Sequence, residues 1–408
     1  MIKNWLKNIG PGPLVAAAFI GPGTVTVCTL AGVGFGFALL WAMVFSVVAT
    51  VVLQEMSARL GIVTQKGLSE VIRSEIKHPI FKGMVVLLIM SAIVIGNAAY
   101  EAGNISGGVL GLETIFGTQT INIGKLSLNG FSLIIGASAF VILFIGNYKV
   151  LERVLVLMVV LMSLAFLITS IITKPSFSDI LKGIFQFRTP KGSLFTIIGL
   201  IGTTVVPYNL FLHASLVKEK WHNSSDLKFA RKDTLIAVVL GGIVSMCIII
   251  SAASIQAQEI HGTSDLALGL EPLFGSFSKY VLAIGLFAAG ITSAITAPLA
   301  AAYVATGCLG WTSSMDSIRF KMVWIVVLGL GIVFSSIGFK SIEIIQFAQV
   351  ANGLLLPIIA GFLIWVMNRS SILGKYRNSL FQNVISIVIL GITIFLGLKS
   401  ILSVFQLI

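Results

Sequence analysis

Two clusters of proline, glycine, hydroxyl and amide residues interrupt very apolar stretches of this chain, and these clusters are its clearest candidates for chemistry. The first covers residues 20–24 (IGPGT), and the second covers residues 203–209 (TTVVPYN). Because proline removes a backbone donor and glycine loosens the backbone, a helix must open at each cluster. In lipid, an opened helix is tolerated only where protein buries it or where it lines a cavity. We therefore predict that the two breaks form a solute-binding site.

The chemistry expected at these breaks is binding, because neither residues 12–54 nor residues 193–212 contain an acidic or basic side chain. A divalent cation normally needs carboxylates or many oxygen ligands, whereas the amides at half-helix N-termini suit an anion or a polar solute. We therefore expect a small anion or polar solute, such as bicarbonate or a carboxylate. Divalent metal transport is the alternative, with hydrated magnesium more plausible than manganese or iron. The residues expected to line the site are Gly21, Gly23, Thr24, Thr203, Thr204, Val206, Tyr208 and Asn209.

Four polar residues elsewhere in the apolar stretches are candidates for coupling or gating. Glu101 lies well inside an apolar stretch, where acidic residues are rare and usually functional. His213 follows the second break, and it is either a proton carrier or a hydrogen-bonded structural histidine. Gln349 and Asn352 share a helix face by their spacing, and they either join helices or line the pathway. No nucleophile–base pair and no metal-ligand spacing of cysteines is present, so we expect neither an enzyme nor a cofactor nor a metal-ligand cluster.

The composition indicates a membrane protein with many spans. The hydrophobic fraction is 57% and the charged fraction is 10%, whereas a soluble domain carries about 25% charged residues. About eleven stretches are long enough to cross a hydrocarbon core roughly 30 Å thick. The net charge of +12 does not indicate nucleic-acid binding, because the basic residues lie in short loops and form no basic face.

The positions of the basic residues and of the breaks predict the topology. Most of the 27 Lys and Arg residues fall on one side if the N-terminus is cytoplasmic and the C-terminus is outside, as expected for a plasma-membrane protein. Five spans separate the breaks, and an odd number of spans per repeat inverts the second repeat. We predict an all-α protein with inverted repeats at 1–173 and 174–368 and an eleventh span at 369–408, in one membrane domain. We expect a monomer in the lipid bilayer that binds a small molecule or ion.

Several motifs resemble the Nramp family of metal transporters. Residues 54–70 (QEMSARLGIVTQKGLSE) resemble the family's span-2 signature, and residues 148–153 (YKVLER) resemble the start of its fifth span. Residues 207–217 (PYNLFLHASLV) are similar to span 6, residues 285–290 (GLFAAG) to span 8 and residues 356–357 (LP) to span 10. The resemblance covers nearly the whole chain. It implies the LeuT-type fold with spans 1 and 6 broken, in agreement with the inverted repeat inferred above.

The chain departs from the family's pattern where the resemblance would imply metal ligands. The family's Asp-Pro-Gly-Asn is GPGT here (residues 21–24), and its Met-Pro-His-Asn is VPYN (residues 206–209). Of the family's acidic pair on span 3, Glu101 remains and the partner aligns with Ala98, while the span-10 glutamine aligns with Leu355. These losses imply an altered substrate and weak or absent proton coupling. A receptor or sensor that retains the fold without transport is a further alternative.

Overall fold

A computed structural model describes residues 20–123, 126–146, 149–254, 260, 262–311, 314–337 and 339–404. Residues 1–19, which include the first half of the predicted first span, lie outside the described residues. Within the described ranges the regular structure is almost entirely helical.

The helices follow one another with short connections. In chain order they are α1 (Pro22–Phe35), α2 (Leu40–Thr64), α3 (Leu68–Glu75), α4 (Pro79–Phe116), α5 (Gly130–Ile145), α6 (Lys149–Ile172), α7 (Phe177–Phe185), α8 (Leu194–Thr204), α9 (Pro207–Lys220), α10 (Leu227–Ala252), α11 (Thr263–Ala267), α12 (Glu271–Phe274), α13 (Ser278–Leu309), α14 (Ile318–Ser336), α15 (Ser341–Met367), α16 (Ser370–Leu373) and α17 (Leu380–Val404). Strands β1 (Thr120–Ile123) and β2 (Leu126–Asn129) pair antiparallel between α4 and α5, with Thr120 opposite Asn129.

The predicted membrane spans match the described helices. Among the described residues, nine helical segments are long and apolar enough to cross a membrane, and α1 and α5 are shorter apolar helices. Each of the predicted apolar stretches contains one of these segments, so the prediction of an all-α membrane protein is confirmed. The β1–β2 hairpin, which connects α4 to α5, was not predicted.

The sixth span opens where its sequence predicted. Helix α8 ends at Thr204, and α9 begins at Pro207, so one span is built from two helices. Between them, Val205 (φ −93°, ψ 71°) and Val206 (φ −74°, ψ 120°) leave the helical conformation. Pro207 cannot donate a backbone hydrogen bond, which explains why α8 does not continue through it.

Helix α4 lies at the centre of the packing, against α13, α14 and α15. Small residues allow its closest approach to α13, because a Cβ on Gly290 would overlap the backbone of Gly108. Another such contact joins Gly111 to the carbonyl group of Ala283. Without these side chains the backbones pack directly, as is common between membrane helices. The same central position brings α4 against α1 and α9, which begin at the two breaks.

Candidate functional site

The two breaks lie side by side in the interior. The hydroxyl oxygens of Thr24 on α1 and Thr203 on α8 are 2.8 Å apart, and both residues are buried. These residues are 179 positions apart in the chain, so only the tertiary structure brings them together. The two predicted breaks are therefore in direct contact through these hydroxyl groups.

Glycines allow two further helices to close on the start of α1. The ring of Pro22 lies on Gly107 of α4, where any Cβ would overlap the ring. The side-chain amide of Gln349 from α15 occupies the equivalent space above Gly23. The first break is therefore enclosed by α4 and α15 as well as by α8.

Helix ends of both polarities meet at the site. Helix α1 begins at Pro22 with an extended Gly21 before it (φ −102°, ψ −173°), and α9 also begins here. At the end of α8, the amide of Val205 donates to Ile201, so the carbonyl groups after Ile201 have no donor from a continuing helix. Helix N-termini carry a partial positive charge and helix C-termini a partial negative charge. The site can therefore stabilise positive as well as negative charge.

Among the described residues, buried polar atoms without partners lie on α9 at the second break and on α15, which packs over the first. Both side-chain polar atoms of Asn209, Oε1 of Gln349 and Nδ2 of Asn352 find no hydrogen-bond partner within the described ranges. These residues are at most 2% exposed. Leaving such a group unpaired costs about 1–3 kcal/mol, so several together are typical of a place where water or a solute binds.

The aromatic residue of the second break contacts α4. The rings of Tyr208 and Tyr100 have centroids 5.4 Å apart and meet edge to face. Thr204 faces in another direction, since its hydroxyl donates to the carbonyl of Leu200 and lies 3.7 Å from the sulfur of Met43 on α2. Of these two predicted lining residues, Tyr208 thus contacts α4 and Thr204 contacts α2.

Glu101 lies between α4 and α14. Its side chain is fully buried, and its Oε2 accepts a hydrogen bond of 3.2 Å from Nδ2 of Asn104. Gly331 of α14 packs against its Cβ and Cγ. Its Oε1 has no hydrogen-bond partner among the residues that the structure describes, and none of the ion pairs found there includes it. Glu101 is thus held by an amide, in a place where the described residues offer it no cation.

His213 on α9 is hydrogen-bonded to α2. Its Nδ1 lies 2.6 Å from Oε1 of Gln54 on α2, an arrangement in which the ring nitrogen donates to the amide oxygen. One turn earlier on α9, the carbonyl of Leu210 accepts a hydrogen bond from Ser57. Gln54 and Tyr100 were not among the predicted site residues. The available signals were the position of Gln54 at the start of the 54–70 motif and that of Tyr100 beside Glu101.

The donor set at the site is made of neutral oxygen. No group of three or more His, Cys, Asp or Glu side chains suited to a metal ion occurs in the searched, described part of the chain. The cysteines Cys28, Cys247 and Cys308 are free thiols. Any cation bound between the breaks would therefore be held by hydroxyl, amide and backbone carbonyl oxygens.

Comparison with known proteins finds relatives that match nearly the whole chain. Residues 12–403 match the family described as "Nramp: Natural resistance-associated macrophage protein-like". The chain is 28% identical over 420 residues to the divalent metal cation transporter MntH of Bradyrhizobium diazoefficiens, covering 97% of this chain and 89% of that protein. Its structure is similar to that of the Eremococcus coleocola manganese transporter, with a TM-score of 0.77, 20% identity and coverage of 98% of this chain and 87% of the other. It is also similar to Mhp1, a nucleobase-cation-symport-1 family transporter, with a TM-score of 0.56, 16% identity and coverage of 92% and 81%. These similarities confirm the predicted LeuT-type architecture.

The expectation of a small anion or polar solute, such as bicarbonate, is wrong. The curated relatives are named as divalent metal cation transporters, and the similar Eremococcus structure is a manganese transporter. The expectation gave weight to the amide ends of opened helices and to the lack of a carboxylate. It gave too little weight to the carbonyl end of α8 and to the hydroxyl and amide oxygens that converge beside it. Oxygens of this kind are the ligands that hard cations prefer.

Proposed function

The chain belongs to the Nramp family of membrane transporters, and from that membership we propose that it moves a divalent metal cation across the membrane by alternating access. The observation that carries the proposal is the set of buried neutral oxygens where the breaks meet. Thr24 and Thr203 contribute hydroxyl groups, and Asn209 and Gln349 contribute amide oxygens that lack partners within the described ranges. The names of the relatives supply the class of cargo.

We propose that the cation keeps part of its water shell, which favours magnesium over manganese or iron. Magnesium dehydrates reluctantly and commonly keeps several waters when it binds to protein. Soft sulfur ligands favour transition metals, and the break carries Val206 where the family's motif has methionine. Neutral oxygens can bind a hydrated cation through hydrogen bonds to its water ligands. A site that removes the whole water shell needs charged ligands to compensate for the lost hydration.

In this proposal each residue at the breaks has a distinct role. Gly21 and Gly23 expose backbone groups, Thr24 and Asn209 donate or accept hydrogen bonds, and Val206 shapes the pocket. Gln349 closes the site from α15, while Tyr208 closes it against α4. Thr203 completes the oxygen set from α8, and Thr204 supports the end of that helix against α2.

We further propose that proton coupling is weak or absent. Glu101 is held by Asn104, and His213 is held by Gln54, so the two titratable candidates are engaged with neutral amides. Asn352 lies buried on α15 one turn beyond Gln349, and we propose that both belong to the pathway. The proposed orientation in the plasma membrane is N-terminus cytoplasmic and C-terminus outside, with the protein working as a monomer.

The test is metal flux into proteoliposomes that contain a metal-sensitive dye, with magnesium and manganese measured in parallel. We expect saturable magnesium flux from the wild-type protein. Gly21→Asp should shift the preference toward manganese by about tenfold or more, since a carboxylate ligand can replace water on the metal. Gly21 precedes α1 with extended backbone, a position where Asp is well accommodated as a helix N-cap.

A matched control places the same carboxylate elsewhere on α1. Gly34 is exposed and has open space where its Cβ would lie, so Gly34→Asp adds the charge without approaching the break. We expect wild-type selectivity from this control. The proposal is contradicted if the wild-type protein moves neither metal saturably, and the site is misplaced if the two Asp variants change selectivity equally.

A further inference from the structure

Helix α7 is a short surface helix that is fixed to the turn between α1 and α2. Gly183 lies directly on the carbonyl group of Phe37, and a Cβ at that position would overlap the carbonyl. Just beyond the helix, Nε1 of Trp41 donates a 2.8 Å hydrogen bond to the carbonyl of Arg188. These two contacts set which face of α7 meets the protein.

A second face of α7 is apolar and exposed. Phe177, Leu181 and Phe185 are spaced four residues apart, so they form one row along the helix. Their exposed fractions are 72%, 38% and 71%. Phe187, which follows the helix, is 73% exposed. A row this apolar is the opposite of what a water-facing helix shows, and it is separate from the face that packs on Phe37.

The third face of α7 and its flanks are polar and mostly basic. Lys182 and Asp179 form an ion pair of 3.0 Å on that face. The flanking segments carry Lys174, Arg188 and Lys191, and Asp179 is the one acidic residue between positions 173 and 193. The segment therefore presents net positive charge beside the exposed aromatic row.

In the chain, α7 lies between two consecutive membrane spans, so it is expected near one membrane surface. The helix connects the end of α6 at Ile172 to the start of α8 at Leu194; α6 is a membrane span, and α8 is the first half of the next one. Side chains on the last turns of α6 are exposed as well, including Ile168 and Ile171. Exposed apolar side chains thus occur both at the end of α6 and on α7, which begins five residues further along the chain.

We propose that α7 is an interfacial helix whose Phe177–Leu181–Phe185 row enters the boundary of the bilayer while its basic flanks bind anionic phospholipid headgroups. Amphipathic helices with this division of faces lie in the membrane plane, with the apolar face about 5–10 Å into the headgroup and acyl boundary. Basic residues beside such a helix are attracted to anionic lipid. Helix α7 contacts the turn that follows α1, and the first break lies at the N-terminal end of α1. Lipid binding at α7 therefore holds the C-terminal end of α1 in place.

Fluorescence quenching in proteoliposomes tests the proposal. The environment-sensitive dye bimane is attached at Leu181→Cys on the apolar row or at Asp179→Cys on the polar face, in vesicles of phosphatidylcholine with phosphatidylglycerol. Lipids brominated at shallow or deep acyl positions serve as quenchers. Protein without an introduced cysteine gives the background from the native thiols. We expect shallow bromines to quench the label at 181 about twofold or more above the label at 179.

A second comparison tests the headgroup contact. We expect Arg188→Gln combined with Lys191→Gln to lower quenching at position 181 when phosphatidylglycerol is present, and to leave it unchanged in phosphatidylcholine alone. Equal quenching at 179 and 181 would overturn the interfacial assignment. The assignment would also be overturned if the label at 181 shows the emission of an apolar environment but is not quenched by brominated lipid. That result would indicate that a second copy of the chain covers the row.

Discussion

The break site and the Arg59 cluster both bury polar groups, but they satisfy them differently. We define the break site as residues 21–24 and 203–209 with Gln349, and the Arg59 cluster as Arg59, Glu55, Arg231, Asn378 and the carbonyl of Tyr376. Arg59 is 2% exposed, and its two terminal nitrogens donate to Glu55 at 3.1 Å, to Asn378 at 2.8 Å and to Tyr376 at 2.8 Å. In the break site, Asn209 has no partner for either polar atom within the described ranges.

This difference distinguishes buried polar groups that join helices from buried polar groups that can bind a solute. The Arg59 cluster joins α2 to the segment before α17, and Arg231 adds α10 through a 2.8 Å contact with Glu55. Such a network holds helices in one arrangement, because removing Arg59 from its centre leaves several buried acceptors without their donor. The break site keeps both polar atoms of Asn209 and Oε1 of Gln349 without a partner among the described residues, so they are available for a solute at a cost in stability. Mutations in the two regions should therefore have opposite effects on stability and on transport.

The largest expected effect on stability is from Arg59→Gln. The shorter neutral side chain cannot reach all the acceptors, so Glu55 loses a charge partner in a largely buried position. We expect a loss of about 3–5 kcal/mol in the free energy of unfolding, measured by denaturant titration in detergent micelles. The control is Arg231→Gln, whose side chain is 50% exposed and which should cost about 0–1 kcal/mol. Equal losses for both variants would show that burial is not what gives the cluster its strength.

A smaller effect is expected from Gly107→Ala, which tests the packing of α4 on the first break. The added Cβ would overlap the ring of Pro22, and overpacking of this kind costs about 1–3 kcal/mol. Because the clash displaces the start of α1, metal flux should fall as well. Gly83→Ala on the same helix meets nothing within 4 Å and should leave stability and flux close to wild type. Tolerance of alanine at position 107 would mean that α1 can shift away from α4 without loss.

The smallest expected effect on stability is from Asn209→Leu, although its effect on transport should be severe. The leucine removes two buried polar atoms that lack partners in the described structure, so the free energy of unfolding should stay constant or rise by about 1 kcal/mol. Metal flux should fall by about tenfold or more, equivalent to about 1.4 kcal/mol of binding.

The matched control for Asn209 is a buried amide that is already satisfied. Asn97 on α4 donates a 2.9 Å hydrogen bond to the carbonyl of Ala297. Asn97→Leu removes this hydrogen bond between α4 and α13, and we expect a loss of about 0.5–1.5 kcal/mol in the free energy of unfolding. If Asn209→Leu destabilises the protein as much as Asn97→Leu does, then Asn209 is structural and the distinction between the two regions fails.

The sequence by itself determined the spans, the openings and one local ion pair. The apolar stretches set the number of membrane helices, since lipid admits only segments whose backbone groups are bonded internally. Pro207 set the start of α9, and the four-residue spacing of Glu55 and Arg59 set their contact on one helix face. All of these depend on neighbours in the chain, so local chemistry is sufficient to predict them.

Only the tertiary structure decided what surrounds each opening. It placed Thr24 on Thr203, Gln349 over Gly23 and Tyr208 on Tyr100. No residue type or spacing fixes these contacts, because they join helices far apart in the chain and depend on which glycines allow close approach. The substrate class was misjudged from the sequence for the same reason. The amide ends of broken helices can be read from prolines and glycines, whereas the convergence of carbonyl, hydroxyl and amide oxygens exists only after the helices have packed.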